Sequence, residues 1–217
     1  MIVLFHTDFY GKLVENLQLK GVLVVKLLED RIKKDGQVIG TDVLKVDNFL
    51  NHQVDPDLMA DLGHEFYRRF SNEPITKILT VESSGIAPAI ATAMEFHKPL
   101  VFARKHKSLT LKDHLYTATV YSFTKKTSNE IAISRKFLSA DDNVLIIDDF
   151  LANGEAATGA IRLLRKAHAT VAGLGILIEK SFQPGRDKLK EQGIHVYSLA
   201  RISKLAENYI EFIPEEV

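Results

Sequence analysis

The residues best suited to chemistry lie in the string VLIIDDFLANGEAATG, Val144 to Gly159. A fully apolar run ends there in two adjacent carboxylates, Asp148 and Asp149, and Asn153-Gly154 comes shortly after. Gly154 removes a side chain at the bend, so the N–H groups of Asn153 through Ala156 can wrap one phosphate at the start of the next helix. Extended backbone would send the two acids to opposite faces. Beside such a nest they would repel a phosphate, unless they take other parts of the same ligand: ribose hydroxyls, or a metal ion that the phosphate shares. Taken singly, the acids also suit a helix cap and Asn-Gly an ordinary turn.

Two further strings stand at predicted strand ends. In VESSGIAPAIATA, residues Ser83, Ser84 and Gly85 precede a helix with Pro88 early in it, which is either a second anion nest or a plainly capped helix. In FARKHKSLTLKDH, Arg104, Lys105, His106 and Lys107 run in sequence. They gather positive charge of the kind a substrate with several phosphates requires, although a solvated basic turn has the same composition. His52, His106 and His114 lack metal-ligand spacing, so no zinc site is expected.

The elements that position these strings are set by periodicity. The pattern VKLLEDRIKKDG from Val25 predicts a helix stopping at Gly36, and Asp55-Pro56 opens a second with Leu58, Met59, Leu62, Phe66 and Phe70 on one face. Strands are predicted at KILTVE, PLVFAR, VLIID, TVAGLGILIEK and a final IHVYSLA. Helices are predicted at IAPAIATAMEF, EAATGAIRLLRKA and GRDKLKEQG. Between Tyr116 and Ser134 alternation on both sides of a polar KKTSNE turn predicts an antiparallel hairpin. The sum is an α/β fold, a mostly parallel twisted sheet with helices on both faces and an inserted hairpin.

The 217 residues carry 28 Lys and Arg against 28 Asp and Glu, so no whole-molecule field favours a polyanion and no nucleic-acid partner is expected. Cysteine is absent, which excludes disulfides and thiolate chemistry. The longest early apolar run, Gly21 to Leu28, is interrupted by Lys26 and far short of the roughly 20 residues of a membrane span. Residues 1–24 share no period with the rest of the chain and are read as an appendage of unknown role to a domain of residues 25–217; translation from an upstream start would account for them.

The Val144–Gly159 string resembles the signature of the type I phosphoribosyltransferase family, in which an apolar run, two acids and a small-residue turn hold a 5-phosphate. It departs in having Glu155-Ala156 after Asn153-Gly154, where the family usually has Thr-Gly and then a hydroxyl residue, so backbone contacts must dominate. The resemblance implies a donor, 5-phosphoribosyl 1-pyrophosphate (PRPP), bound as its Mg²⁺ complex. It carries that donor's site to Ala152, Asn153, Gly154, Glu155 and Ala156, to Ser84 and Gly85 as the pyrophosphate loop, and to Arg104 and Lys105. Asp148 and Asp149 would be the catalytic acids, holding the ribose diol and stabilising an oxocarbenium-like centre. The basic stretch and the hairpin look like the family's mobile flap, which excludes water.

The strings KVDNFLNHQVDP, ESSGIAP, ARKHKSLTL, DDFLANG and IEKSFQPGR most resemble the bacterial xanthine-using branch of that family, from Val25 to the C-terminus. This implies conversion of xanthine to xanthosine 5-monophosphate with release of pyrophosphate, in purine salvage, by a cytoplasmic homodimer without nucleic-acid or membrane partners. The base site carries over to Leu44, Asn51 and Lys180. Lys180 can only donate hydrogen bonds, which suits a 6-oxo group and disfavours the 6-amino group of adenine. Asn51 can donate to a 2-oxo group or accept from the 2-amino group of guanine, so that choice stays open. Leu44 offers apolar contact and Phe150 a ring to stack on the base. A snorkelling Lys180 and a loop-capping Asn51 are the alternatives. Two other functions are disfavoured. A PRPP-sensing DNA-binding regulator would need a helix-turn-helix extension longer than the residues before Val25, and no GxxxxGK[ST] or GxGxxG string marks a nucleotide switch.

Overall fold

The structure, a computed structural model, describes residues 22–105, 114–122 and 127–214. Helix α1 (residues 22–35) is under way at residue 22, ahead of the expected boundary at Val25, and ends before Gly36 as expected. Val25, Leu28 and Ile32 are buried at helical spacing, and Val24 also packs on the core, while Val22 and Leu23 are exposed. The rest of the expected appendage, residues 1–21, lies outside the described residues. Helix α2 (Pro56–Phe70) starts as predicted: the Asp55 side chain accepts from the Leu58 N–H at 3.1 Å and Pro56 opens the helix. Leu58, Met59, Leu62, Phe66 and Phe70 are its buried stripe.

Between α1 and α2 the sequence predicts no element. The chain there forms a hairpin of β1 (Gln37–Ile39) and β2 (Val43–Lys45) and then a π-helical turn over Asp47–Asn51. Strands of three residues are too short to show an alternation that sequence inspection can detect.

The remaining elements alternate. In chain order they are β3 (Lys77–Val81), α3 (Ile86–Phe96), β4 (Leu100–Ala103), the hairpin β5 (Leu115–Ser122) and β6 (Thr127–Ser134), β7 (Asn143–Leu151), α4 (Glu155–Lys166), β8 (Thr170–Lys180), α5 (Gly185–Lys190), β9 (Val196–Ala206) and β10 (Tyr209–Phe212). The main sheet has the order β10-β9-β8-β7-β3-β4, parallel except for β10 at its edge. One core joins α1, α2 and α3 to the sheet; the other joins α4, α5 and the β5–β6 hairpin to it. The expected fold class therefore holds, with β10 as an unpredicted antiparallel strand after the one expected to be last.

The hairpin is antiparallel as expected, but its turn is shorter. Asn129 pairs with Val120 and Thr127 with Ser122, so the TSNE part of KKTSNE is strand and residues 123–126 make the link. Those four residues, and the expected flap positions 106–113, lie outside the described residues. Polar composition suggested a turn because both faces of this strand end are largely solvated, and cross-strand pairing decides the matter instead.

Sheet order sets the place of chemistry. From β3 the chain steps outward to β4, whereas β7 lies on the other side of β3. The loops after β3 and β7 therefore diverge, and a crevice opens between their carboxyl ends.

Candidate active site

The crevice collects the predicted residues. Asp148 and Asp149 are both still within β7, Asp148 buried and Asp149 half-buried, and the Asp149 N–H donates to Asp148 Oδ1 at 3.1 Å. The loop after β3 comes up against them. A Cβ on Gly85 would collide with the Thr80 hydroxyl and stand 2.7 Å from Asp148 Oδ1, so only glycine lets Ser83–Gly85 approach the acids this closely. Ser84 is half-buried in that turn, and α3 starts directly after it. Burial pushes the Asp148 carboxyl well above the usual range, and the neighbouring Asp149 charge adds to this. Burial also raises Asp149, while the Lys105 ammonium pulls both acids the other way. Acids raised in this way beside a crevice mark a candidate ligand site.

The turn from Ala152 to Ala156 has Gly154 at φ 80°, immediately before α4. That left-handed backbone is one glycine adopts without strain. Its underside rests on α5, a contact the sequence did not reveal. The Gly185 N–H donates to the Ala152 carbonyl at 3.0 Å, and Lys188 Nζ donates to the Asn153 carbonyl at 3.1 Å and lies 3.6 Å from Glu155 Oε1. A trans peptide directs its N–H opposite to its C=O, so the N–H groups of Asn153 and Gly154 are turned away from α5. They stand with the first N–H groups of α4, the positive end of its dipole. A Cβ on Gly185 would collide with the Ala152 carbonyl oxygen, so this second glycine permits the close stacking.

The basic string adjoins the second loop. Arg104 bridges to Ala132 of the hairpin through both backbone groups, each at 2.9 Å. Glu82, which sequence reasoning passed over, accepts from the Lys105 N–H at 2.5 Å and lies 3.7 Å from Arg104 Nε. One carboxylate thus ties the loop after β3 to the root of the basic stretch; His106 and Lys107 lie outside the described residues.

On the other flank, β1, β2 and the π-helical turn form a hood. Lys180, last in β8, donates through Nζ to the Asp42 carbonyl in the β1–β2 turn at 2.5 Å and stands 5.6 Å from the Phe150 ring. Burial lowers its pKa, opposed by the Asp42 charge. Asn51 closes the π-helical turn and donates to Asp149 Oδ2 at 3.3 Å. Leu44, in β2 of the hood, is buried in the core, and Phe150 packs at the margin of the same core. Lys180, Asn51 and Phe150 therefore come together beside the acids, and Leu44 stands behind them. No three His, Asp or Glu side chains among the described residues form a metal-binding group.

A crevice at the switch point, paired acids, a glycine-bearing turn at a helix start and a hood over one flank describe a class that comparison bears out. Residues 45–199 match the phosphoribosyl transferase domain, and the chain belongs to that family. It is 81% identical over 192 residues to the xanthine phosphoribosyltransferase of Lacticaseibacillus casei, covering 88% of this chain and 100% of that protein. The enzyme of the same name from Latilactobacillus sakei is 62% identical over 191 residues, covering 88% and 98%. Adenine phosphoribosyltransferase of Trypanosoma brucei, solved with AMP, pyrophosphate and ribose-5-phosphate, superposes with a TM-score of 0.68 at 19% identity, covering 80% of this chain and 79% of that one. At that identity the last likeness shows the fold alone.

Proposed function

We propose that this chain transfers the 5-phosphoribosyl group of PRPP to xanthine, forming xanthosine 5-monophosphate and pyrophosphate for purine salvage. The observation that carries the reading is identity of 81% along the full length of a xanthine phosphoribosyltransferase. The geometry supports it. In this reading the turn Ala152–Ala156 takes the 5-phosphate, Ser84 and Gly85 the pyrophosphate, and Arg104 and Lys105 the departing charge. Asp148 and Asp149 hold the ribose diol and offset positive charge as the bond to pyrophosphate lengthens. Mg²⁺ bound with the diphosphate would offset its charge; Asp148 and Asp149, short of countercharge, suit a site that receives such a cation.

Lys180 presents its ammonium donors to the 6-oxo group and Asn51 its amide to the 2-oxo group, while Phe150 covers one face of the base and Leu44 supplies apolar contact from the hood. Exposed Ile90 and Met94 on α3 and Phe102 on the edge strand β4 support a homodimer through that face. No helix among the described residues is long and apolar enough to cross a membrane, and a cytoplasmic place is part of this proposal. Residues 1–21 are proposed to be dispensable.

The deciding assay offers radiolabelled xanthine, guanine, hypoxanthine and adenine with PRPP and magnesium. Fastest turnover on xanthine with adenine left untouched is expected. Preference for adenine, or no transfer to any base, would overturn the reading. Size-exclusion chromatography with light scattering tests the dimer.

A further inference from the structure

Strand β10 pairs with β9 only from Ile202 to Ala206. Before that, β9 is paired with β8 on one side, while its outer side carries no strand among the described residues, apart from the Ile213 N–H, which donates to the Arg201 carbonyl at 2.7 Å. A cavity of about 200 Å³ lies along this open edge. Consecutive residues of β9, Tyr197 and Ser198 among them, line it, as only the edge of a strand allows, since its faces present alternate residues.

Three guanidinium groups converge there, Arg69 from the last turn of α2, Arg186 from α5 and Arg201 from β9. Arg69 donates to the buried Glu65 at 2.9 Å, a carboxylate that Arg68 also engages, and lies 4.4 Å over the Tyr197 ring. Arg186 grips the buried Glu179 and reaches the Val196 carbonyl and Ser198 Oγ, each at 3.2 Å. The Arg201 side chain donates no hydrogen bond among the described residues: its Nε is buried without a partner, and the nearest acid atom, Glu179 Oε1, is 3.7 Å away. Arg186 and Arg201 thus share a single carboxylate, and the acceptor sites of that carboxylate are already taken by Arg186, Ser181 and Ser198. A buried guanidinium N–H without an acceptor, here Arg201 Nε, is costly, and a bidentate oxyanion matches guanidinium geometry.

We propose that this cavity binds a phosphate-sized oxyanion, at a site separate from the Ala152–Ala156 turn. The volume is below the roughly 300 Å³ at which pockets begin to hold whole drug-sized ligands, so the ligand is free orthophosphate or the phosphate of a monoester whose remainder stays outside. Its negative charge offsets the guanidinium that Glu179 leaves unmet, and Arg201 gains the acceptors it lacks.

Equilibrium dialysis of the full chain against radiolabelled orthophosphate tests this, with Arg201→Gln compared against wild type. The variant is expected to bind one equivalent fewer per chain, and Arg201→Lys, which keeps the cation and guards against misfolding, to bind that equivalent about tenfold more weakly. Displacement by glycerol 3-phosphate assigns the site to monoesters and its failure assigns it to free phosphate, either in favour. Tungstate-soaked crystals should give an anomalous peak between Arg69 and Arg201. Equal binding by wild type and both folded variants would overturn the proposal. So would an extra phosphate equivalent that appears only when residues 215–217 are removed, which would give the pocket to Glu215 and Glu216 of the chain itself.

Discussion

Two sets of buried acids sit in this molecule and are treated in opposite ways. Glu179, at the end of β8, is met by Arg186, Ser181 and Ser198, and these hydrogen bonds hold its pKa below the usual carboxylate range despite burial. Glu65 on α2 is met likewise by Arg68, Arg69 and Tyr197 and is lowered too. Asp148 and Asp149 at the end of β7 have mainly each other, Asn51 and the distant field of Lys105, and both are raised. The first set finds its countercharge within the chain; the second does not. Burial alone does not separate a structural acid from a working one, but the supply of countercharge does.

The contrast can be broken most severely at Glu179. Replacing it with alanine strands Arg186 without its partner and is expected to cost about 3–5 kcal/mol of stability, read by urea denaturation. A loss under about 1 kcal/mol would mean that the cluster is not structural. At the other acids the effect moves from stability to rate. Asp149→Asn should lower turnover on the order of a hundredfold while leaving the ligand-free protein at least as stable as wild type. Unchanged turnover would end its catalytic assignment.

A third measurement sharpens the comparison through pH. Glu65 and Glu179 have lowered pKa values, so the stability they contribute is present above their unfolded value and is lost as pH falls through the folded one. Asp148 and Asp149 are raised, so they penalise the native state at neutral pH and that penalty fades on acidification. The Asp148→Asn, Asp149→Asn double variant should therefore melt higher than wild type near pH 7, and the gap should close below about pH 4. A gap that stays constant with pH contradicts the assignment. The smallest expected effect is Lys188→Ala, which removes the brace from the Asn153 carbonyl. It should raise the KM for PRPP about three- to tenfold with kcat nearly unchanged, a weakening of ground-state binding.

Much of this was legible in the chain because long elements declare themselves. The boundaries of α3 and β8 match the strings read for them, since eleven residues of consistent period outweigh local ambiguity. The Asp148-Asp149 and Gly154 constellation was visible because all of it lies in one continuous string. What escaped was made by residues far apart in sequence. Asp42 meeting Lys180 spans 138 positions, and Lys188 bracing Asn153 spans 35; neither leaves a local trace. Glu82 was overlooked beside Ser83 and Ser84 because its partner, the Lys105 backbone, has no side-chain signature. Arg201 gave no sign for the same reason, since its meaning depends on where β10 stops.

The stacked pair Gly154 and Gly185 has a consequence for how the molecule can change. A Cβ added to Gly154 would stand 3.2 Å from Gly185 Cα, and one added to Gly185 would stand 3.0 Å from Gly154 N. Neither position is free to drift alone, because a methyl group on one has to be absorbed by the backbone of the other. The bend ahead of α4 and the helix behind it are thus locked into a shared mutational fate, and a randomised library at either codon should return almost nothing but the parent residue.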